Sequence, residues 1–151
     1  MRLLILAVGR QKPGPLKELE RFYAERITWP LAIREVEEKR KLTPLELKRR
    51  EAELLQAAVP KNATLVALDA RGTALSSEAF AKRFDRWQAT GNDLAFMIGG
   101  AEGLDAAITA KADLILSLGT MTWPHLLARG MLLEQIYRAQ QIRAGHPYHR
   151  A

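Results

Sequence analysis

The 151-residue chain is predicted to fold as an α/β protein, a single domain over residues 1–151 with a mostly parallel sheet flanked by helices. Apolar runs of strand length alternate with longer segments of helical period, and turn residues stand at the joints, which is typical of consecutive β–α units. No internal repeat or linker interrupts this alternation. The chain has no cysteine, so packing must stabilise it without disulfides or thiolate metal sites.

Five segments have the length and apolar character of strands. The first strand is an unbroken apolar run, whereas Arg34 and Glu35 interrupt the second, which indicates an edge strand. The third is followed by Ala70-Arg71-Gly72, which predicts a turn. The predicted strands are residues 3–8, 31–36, 63–69, 94–98 and 114–118.

Five segments between and after these strands are predicted to be helical. Thr43-Pro44-Leu45-Glu46 combines an N-cap threonine, a proline at the first helical position and a glutamate three residues after the cap. Gly145 and Pro147 indicate where the last helix ends. The predicted helices are residues 16–27, 44–59, 77–89, 104–112 and 126–143.

The charge balance is basic, with 23 lysines and arginines against 17 acidic residues and a formal charge of +6. This excess favours an anionic partner such as nucleic acid, although many basic proteins bind none. The runs at 37–41 and 48–51 have two interpretations, an RNA-binding face or a solvated helix face with ion pairs of mixed sign. The second is favoured.

Two glycine-bearing loops follow the last two predicted strands. Gly99-Gly100 and Leu118-Gly119, together with Leu68-Asp69 at the end of the third strand, are expected to lie side by side at one sheet edge, where parallel sheets bind ligands. The chain has neither a G-x-G-x-x-G after its first strand nor a Walker A motif, so dinucleotide and Walker-type nucleotide sites are disfavoured. Taken alone, Gly99-Gly100 is more typical of a tight turn, and its combination with the second loop favours a ligand site.

The second loop offers the side chains of a small-molecule pocket. Thr120, Met121 and Thr122 supply hydroxyls and a soft apolar chain, and Trp123-Pro124 supplies a rigid wall suited to an adenosine or methionine moiety. The alternative is that Met121 and Trp123 belong to the core.

The chain ends in His146-Pro147-Tyr148-His149-Arg150, which concentrates reactive side chains where domains usually place expendable residues. His146 and His149 are three residues apart, but Pro147 lies between them and no helix is predicted, so a metal site is disfavoured. The stronger interpretations are a solvated tail, or a tail that performs acid–base chemistry and contacts RNA.

These loops and this tail resemble the SPOUT methyltransferases, and among them the bacterial RlmH-type enzymes, which methylate N3 of a pseudouridine in 23S ribosomal RNA. Ala101 stands where that family usually has proline, and Trp123 where it often has leucine. The matching segments, spread along the whole chain, are residues 4–9, 66–69, 96–103, 121–125, 137–139 and 146–150.

The resemblance implies an S-adenosylmethionine pocket, a C-terminal trefoil knot, a cytoplasmic homodimer with the site at the subunit interface, and the assembled ribosome as substrate. A knot is a rare exception to the rule that chains do not thread their own loops. The residues that the resemblance places around the cofactor are Leu68, Gly100, Leu118, Gly119, Thr120, Met121, Thr122 and Trp123.

The tail chemistry and the resemblance together suggest residue roles. Tyr148 and His149 are expected to orient or deprotonate the uracil-like ring, and Arg138, His146 and Arg150 to hold RNA or stabilise a developing anion. Two other functions remain open from the sequence: a non-enzymatic ribosome-binding protein with a relic pocket, and a SPOUT methyltransferase that acts on tRNA.

Overall fold

The computed structural model describes residues 1–150 and contains a five-stranded, entirely parallel sheet. The strands are β1 (Leu3–Val8), β2 (Leu31–Val36), β3 (Thr64–Ala74), β4 (Leu94–Ile98) and β5 (Leu114–Ser117), in the spatial order β2-β1-β4-β3-β5. The helices are α1 (Pro15–Ala24), α2 (Pro44–Ala57), α3 (Ser77–Thr90), α4 (Ala106–Thr109) and α5 (His125–Arg143). The predicted fold class is confirmed, and β2 is an edge strand as expected.

Helices cover both faces of the sheet, which explains why β1 and β4 are buried along their whole length. One face packs against α1, α3 and α5 through residues such as Phe84, Phe96 and Ile136. The other packs against α2 and α4 through residues such as Leu55 and Met97. None of the helices within residues 1–150 combines the length and hydropathy required to span a bilayer.

The predicted helices are confirmed, and several are shorter than expected. α1 ends at Ala24 rather than at residue 27, and α4 has only one turn. The predicted capping signal at Thr43 is confirmed, because the backbone N–H of Glu46 donates to Thr43 Oγ1 over 3.2 Å.

The prediction that the third strand ends in a turn at Ala70-Arg71-Gly72 is wrong, because β3 continues through these residues to Ala74. Leu68 and Thr73 both align with Leu116 of β5, so the residues between them form a bulge. Gly72 lets the chain return to β5, since a Cβ there would lie 2.5 Å from the carbonyl oxygen of Ile115. The turn residues therefore mark a bulge and not the end of the strand.

Because all five strands are parallel, every segment that follows a strand leaves from the same edge of the sheet, the C-terminal edge. The order β4-β3-β5 confirms that the three predicted strand ends lie next to each other there. The trefoil knot stays a prediction.

A buried arginine anchors the start of α5 to this edge. Arg129 is 0% exposed, and its Nη1 lies 2.5 Å from Oε2 of Glu35 on β2. Its Nη2 donates to the carbonyl oxygens of Val8, over 3.2 Å, and Gly9, over 2.7 Å. One guanidinium thus connects α5 to β1 and β2.

Two further polar side chains complete this cluster. Glu20 of α1 lies 3.6 Å from Arg129 Nη1, and the Gln11 side-chain amide donates to Glu20 and to the carbonyl oxygen of Leu126. Burial raises the pKa of Glu20. Burial also acts to raise the pKa of Glu35, but the hydrogen bonds from Arg129 and the Gln11 backbone outweigh it and leave that pKa below its usual range.

Replacing Arg129 by methionine should destabilise the fold by about 3–5 kcal/mol, because it leaves the buried Glu20 carboxylate without its cation and removes the partner of the partly exposed Glu35. Urea denaturation of the wild type and the variant measures this loss. Arg143→Met is the matched control, since Arg143 pairs with the exposed Asp85 and its loss should cost less than about 1 kcal/mol. Equal losses in the two variants would contradict a special role for the buried pair.

Candidate active site

A cavity of about 270 Å³ opens at the C-terminal edge, where β4, β3 and β5 end. Its walls come from the β3 bulge, the loop after β4, the loop after β5 and the start of α5. We call it the cofactor cavity. Of the eight predicted cofactor-binding residues, Thr120 is exposed and does not line it. The seven that line it are Leu68, Gly100, Leu118, Gly119, Met121, Thr122 and Trp123.

The loop after β4 is a tight turn and also a wall of the cavity. Its glycines therefore satisfy both interpretations, the turn and the cavity wall. The N–H of Gly103 donates to the Gly100 carbonyl oxygen over 3.0 Å. A Cβ on Gly99 would lie 2.5 Å from the backbone of Gly103, so any side chain there would open the turn.

The loop after β5 is held by hydrogen bonds to its own backbone. Gly119 has a φ of 114°, a conformation that favours glycine, and its N–H donates to Ser117 Oγ over 3.1 Å. Ser117 Oγ also lies 3.0 Å from the carbonyl oxygen of Ala70, which connects this loop to the β3 bulge. The Trp123 indole N–H donates to the Leu118 carbonyl oxygen over 3.3 Å, which fixes the plane of the ring.

Met121 and Trp123 are not core residues. Their exposed fractions are 71% and 41%, and both line the cofactor cavity. The core alternative is therefore wrong, and the two side chains form an exposed apolar lip of the cavity.

Besides Arg71 and Trp123, two nitrogen-bearing side chains line the cavity. His125, the first residue of α5, has a pKa lowered by burial and, to a smaller extent, by the charge of Arg129, so its imidazole is neutral at pH 7. Lys48 projects from α2. A neutral imidazole can both donate and accept a hydrogen bond, whereas Lys48 can only donate.

Glu51 lies directly behind the loop after β4. Its residue is 7% exposed, Oε1 has no hydrogen-bond partner within residues 1–150, and Oε2 lies 3.1 Å from the point where a Cβ of Gly100 would be. Burial raises the pKa of this carboxyl, and the nearby charge of Glu102 raises it further. A side chain at position 100 would collide with this acid.

The tail folds back on its own chain rather than entering the cofactor cavity, none of whose lining residues belongs to 146–150. The Tyr148 hydroxyl donates to Glu134 over 3.2 Å, and its ring packs edge-on against Tyr137. Burial, followed by the hydroxyl of Tyr23 and the charge of Glu134, raises the pKa of Tyr148 to about 12. In this arrangement the phenol stays protonated.

His149 is held between two charged side chains. Its Nε2 lies 2.7 Å from Glu78, and Arg138 donates to its Nδ1 over 3.1 Å. Because arginine can only donate, the ring proton lies on Nε2. Arg138 also pairs with Glu134 over 2.6 Å, so it is not a free cation.

The other two predicted RNA-binding residues, His146 and Arg150, are exposed, and His146 Nδ1 accepts the Tyr148 backbone N–H. Residues 1–150 contain no group of three or more histidine, aspartate or glutamate side chains placed to hold a metal ion.

The family of the chain follows from comparison with known proteins. The family model described as "Predicted SPOUT methyltransferase" matches residues 1–149. The chain belongs to the SPOUT methyltransferase family. The resemblance drawn from the sequence is confirmed, and with it the assignment of the chain as a methyltransferase.

Two proteins are similar to this chain over almost its whole length. A protein of Rhodospirillum centenum named ribosomal RNA large subunit methyltransferase H is 58% identical over 152 residues, and the alignment covers 100% of each chain. One of the same name from Paramagnetospirillum magneticum is 52% identical, with 99% of each chain covered.

Among solved structures, the SpoU methyltransferase AviRb from Streptomyces viridochromogenes, crystallised with AdoMet, has a similar fold. The TM-score is 0.51 at 18% identity, over 93% of this chain and 58% of that protein. The chain thus spans a little over half of AviRb, and the likeness is one of fold.

Several residues that shape the site have no predicted role, or a wrong one. Glu51, in the run at 48–51, is expected on a solvated helix face but is buried, and Arg129 and Glu134 have no predicted role. One signal is present in the sequence, since Glu20 lies among the apolar positions of α1 and Arg129 interrupts an apolar run of α5. The Glu134–Arg138 pair has the i,i+4 spacing of a helical ion pair, whereas the surroundings of Glu51 depend on distant segments.

Glu51→Gln should stabilise the fold at pH 8 relative to the wild type by on the order of 1 kcal/mol, the cost of an unsatisfied buried polar group. Because the folded pKa is raised above 4.5, the stability that Glu51 contributes is complete below that pH and is lost as the pH rises through the folded pKa. The advantage of the variant should therefore vanish at about pH 4, close to the pKa of a glutamate in an unfolded chain.

Chemical denaturation across this pH range measures the effect. Glu53→Gln is the control, because Glu53 is exposed and should change stability by less than about 0.5 kcal/mol at any pH. A Glu51→Gln advantage that did not depend on pH would contradict the role of ionisation.

Proposed function

We propose that residues 1–151 act as one methyltransferase domain that transfers a methyl group from S-adenosylmethionine to 23S rRNA, at N3 of a pseudouridine in the assembled ribosome. The observation that carries the proposal is the cofactor cavity, in which the three strand ends meet in a chain that belongs to the SPOUT family. The full-length relatives named large-subunit rRNA methyltransferases support the class of substrate.

The cavity suits S-adenosylmethionine by its chemistry. Leu68, Leu118 and Trp123 form apolar walls for an adenine ring and a thioether chain, while the glycines keep backbone N–H and C=O groups accessible to a purine edge. When bound, the cofactor supplies an electrophilic methyl group.

The chain then has to place a nitrogen in line with that methyl group and remove its proton. The Met121–Trp123 lip leaves an apolar platform on which a base can rest. His149 has the chemistry to accept the N3 proton, and the protonated Tyr148 hydroxyl to donate a hydrogen bond to a ring carbonyl as negative charge develops. No covalent bond between enzyme and base is needed.

A second cavity supports the proposed homodimer. An apolar groove of about 540 Å³ runs between α1, α5 and the chain after β3, and it shares Leu116, Leu118 and Gly119 with the cofactor cavity. We call it the dimer groove. Glu134, which binds Tyr148, lines it. A copy docked in this groove would bring its tail next to the β5 loop of its partner, so the cytoplasmic dimer would contain two composite sites.

Purified protein with methyl-labelled S-adenosylmethionine should label large-subunit rRNA in ribosomes from cells that lack this methylation, with the label on a pseudouridine. Mass spectrometry of nucleosides identifies the product, and naked rRNA is the control for the need for an assembled particle. Label on tRNA would show that the substrate is tRNA and not rRNA. Cofactor binding without label on any RNA would favour the non-enzymatic ribosome-binding role.

Mixing two inactive variants tests whether the tail acts on the partner's cavity. Truncation after Gly145 removes the tail, and Gly119→Val disturbs the cavity because φ is 114° there. Heterodimers contain one subunit with an intact cavity and one with an intact tail. If the tail acts in trans, random mixing should restore about a quarter of wild-type methylation, since half of the dimers then have one working site.

Sedimentation of the mixture verifies that heterodimers form. No recovery of activity in verified heterodimers would place each tail on its own cavity, and retained activity of the truncated protein alone would remove the tail from the mechanism.

A further inference from the structure

The positive charge of the protein is concentrated in two segments at one edge of the sheet. Residues 9–14 and 37–50, the loops after β1 and β2 with the first two turns of α2, contain eight lysines and arginines and three glutamates. They therefore hold five of the six net positive charges of the chain. We call these two segments the basic rim.

The opposite edge of the sheet is electrically balanced. Its connecting loops, residues 25–30, 58–63, 91–93 and 110–113, contain three basic and three acidic residues. The excess of positive charge therefore lies at the C-terminal edge of the sheet, which is the edge that carries the cofactor cavity.

The basic rim reaches the cofactor cavity itself. Arg10 and Lys39 line a shared cleft between the loops after β1 and β2, and Lys48 lines the cofactor cavity. The loop after β4, which also lines that cavity, carries the acidic residues Glu102 and Asp105 and no basic ones, and Arg71 of the β3 bulge is paired with Asp69. An anionic strand that presents one unit at the mouth of the cavity would find unpaired cations along the rim.

Most of the cations of the rim form no ion pair within residues 1–150, and one of its three acids, Glu38, is paired. Glu38 binds both Arg40 and Arg50, and Glu35 at the base of the cleft binds Arg129, so Glu37 is the remaining acid of the cleft. Within residues 1–150 the rim cations that form no ion pair are Arg10, Lys12, Lys39, Lys41, Lys48 and Arg49.

We propose that the basic rim, through the cleft of Arg10 and Lys39 and through Lys48, binds the phosphates of the RNA strand on one side of the nucleotide whose base is presented to the cofactor cavity. The proposal rests on the proposed function for the identity of that RNA. A nucleotide at the mouth of the cavity is covalently continuous with its neighbours, so their phosphates must pass over the adjoining edge. Phosphate contacts of this kind fix register and orientation and do not read the base sequence.

Charge removal at matched positions tests the proposal. Arg10→Ala with Lys39→Ala removes two charges from the cleft, and Lys61→Ala with Lys111→Ala removes two exposed charges from the opposite edge. Binding of each double variant to large ribosomal subunits from cells that lack this methylation is measured over a range of salt concentrations, and cofactor affinity is measured separately.

The rim variant should bind roughly tenfold more weakly near physiological salt, and the slope of log K against log salt should fall by about 1.4–1.8, the value for two lost phosphate contacts. The opposite-edge variant should match the wild type, and both should bind S-adenosylmethionine normally. Arg10→Lys with Lys39→Arg should keep the wild-type slope, because the charges remain.

An unchanged slope in the rim variant, or equal losses in the two double variants, would overturn the rim as the phosphate site. If the wild type still methylated the large subunit, the proposed function would stand. Conversely, a slope reduced only in the rim variant, with no label on the large subunit, would support the rim and overturn the proposed reaction.

Discussion

The burial of the Arg129 guanidinium is the constraint on which the site depends. A fully buried cation requires anions and carbonyl oxygens around it, and here they come from α1, β1, β2 and the loop between β1 and α1. Arg129 lies in the second turn of α5, so the contacts of its guanidinium fix the position at which that helix begins. The start of α5 in turn fixes His125 and the last residues of the β5 loop, which form one wall of the cofactor cavity.

Backbone conformation shapes two loops of the cavity. Gly119 adopts a conformation that other residues enter at a cost, Gly99 has no room for a side chain, and Ser117 joins the β5 loop to the β3 bulge. In the proposed function these loops would present fixed N–H and C=O groups to the ligand, which need no side-chain ordering when it binds. Met121 and Trp123 add an exposed apolar lip to the cavity.

The β5 loop lines two cavities, so in the proposed homodimer the interface and the cofactor site would share this loop. Leu118 and Gly119 line both the cofactor cavity and the dimer groove, so a subunit docked in the groove would press on the β5 loop. The tail lies at the same groove, held by Glu134 and Glu78. For Tyr148 or His149 to reach a substrate, these contacts must be exchanged for contacts across the interface.

The sequence by itself determined the order of strands and helices, the edge position of β2, the cap at Thr43 and the residues of the two glycine loops, because each depends on neighbours within a few positions. It also pointed to the family, since the loop and tail motifs are contiguous. Only the tertiary structure decided that residues 70–72 form a bulge, that Glu51 lies behind Gly100, and that the tail packs on α5 and α3. These outcomes depend on contacts between residues far apart in the chain, and the pattern of one segment carries no information about the partner it will meet.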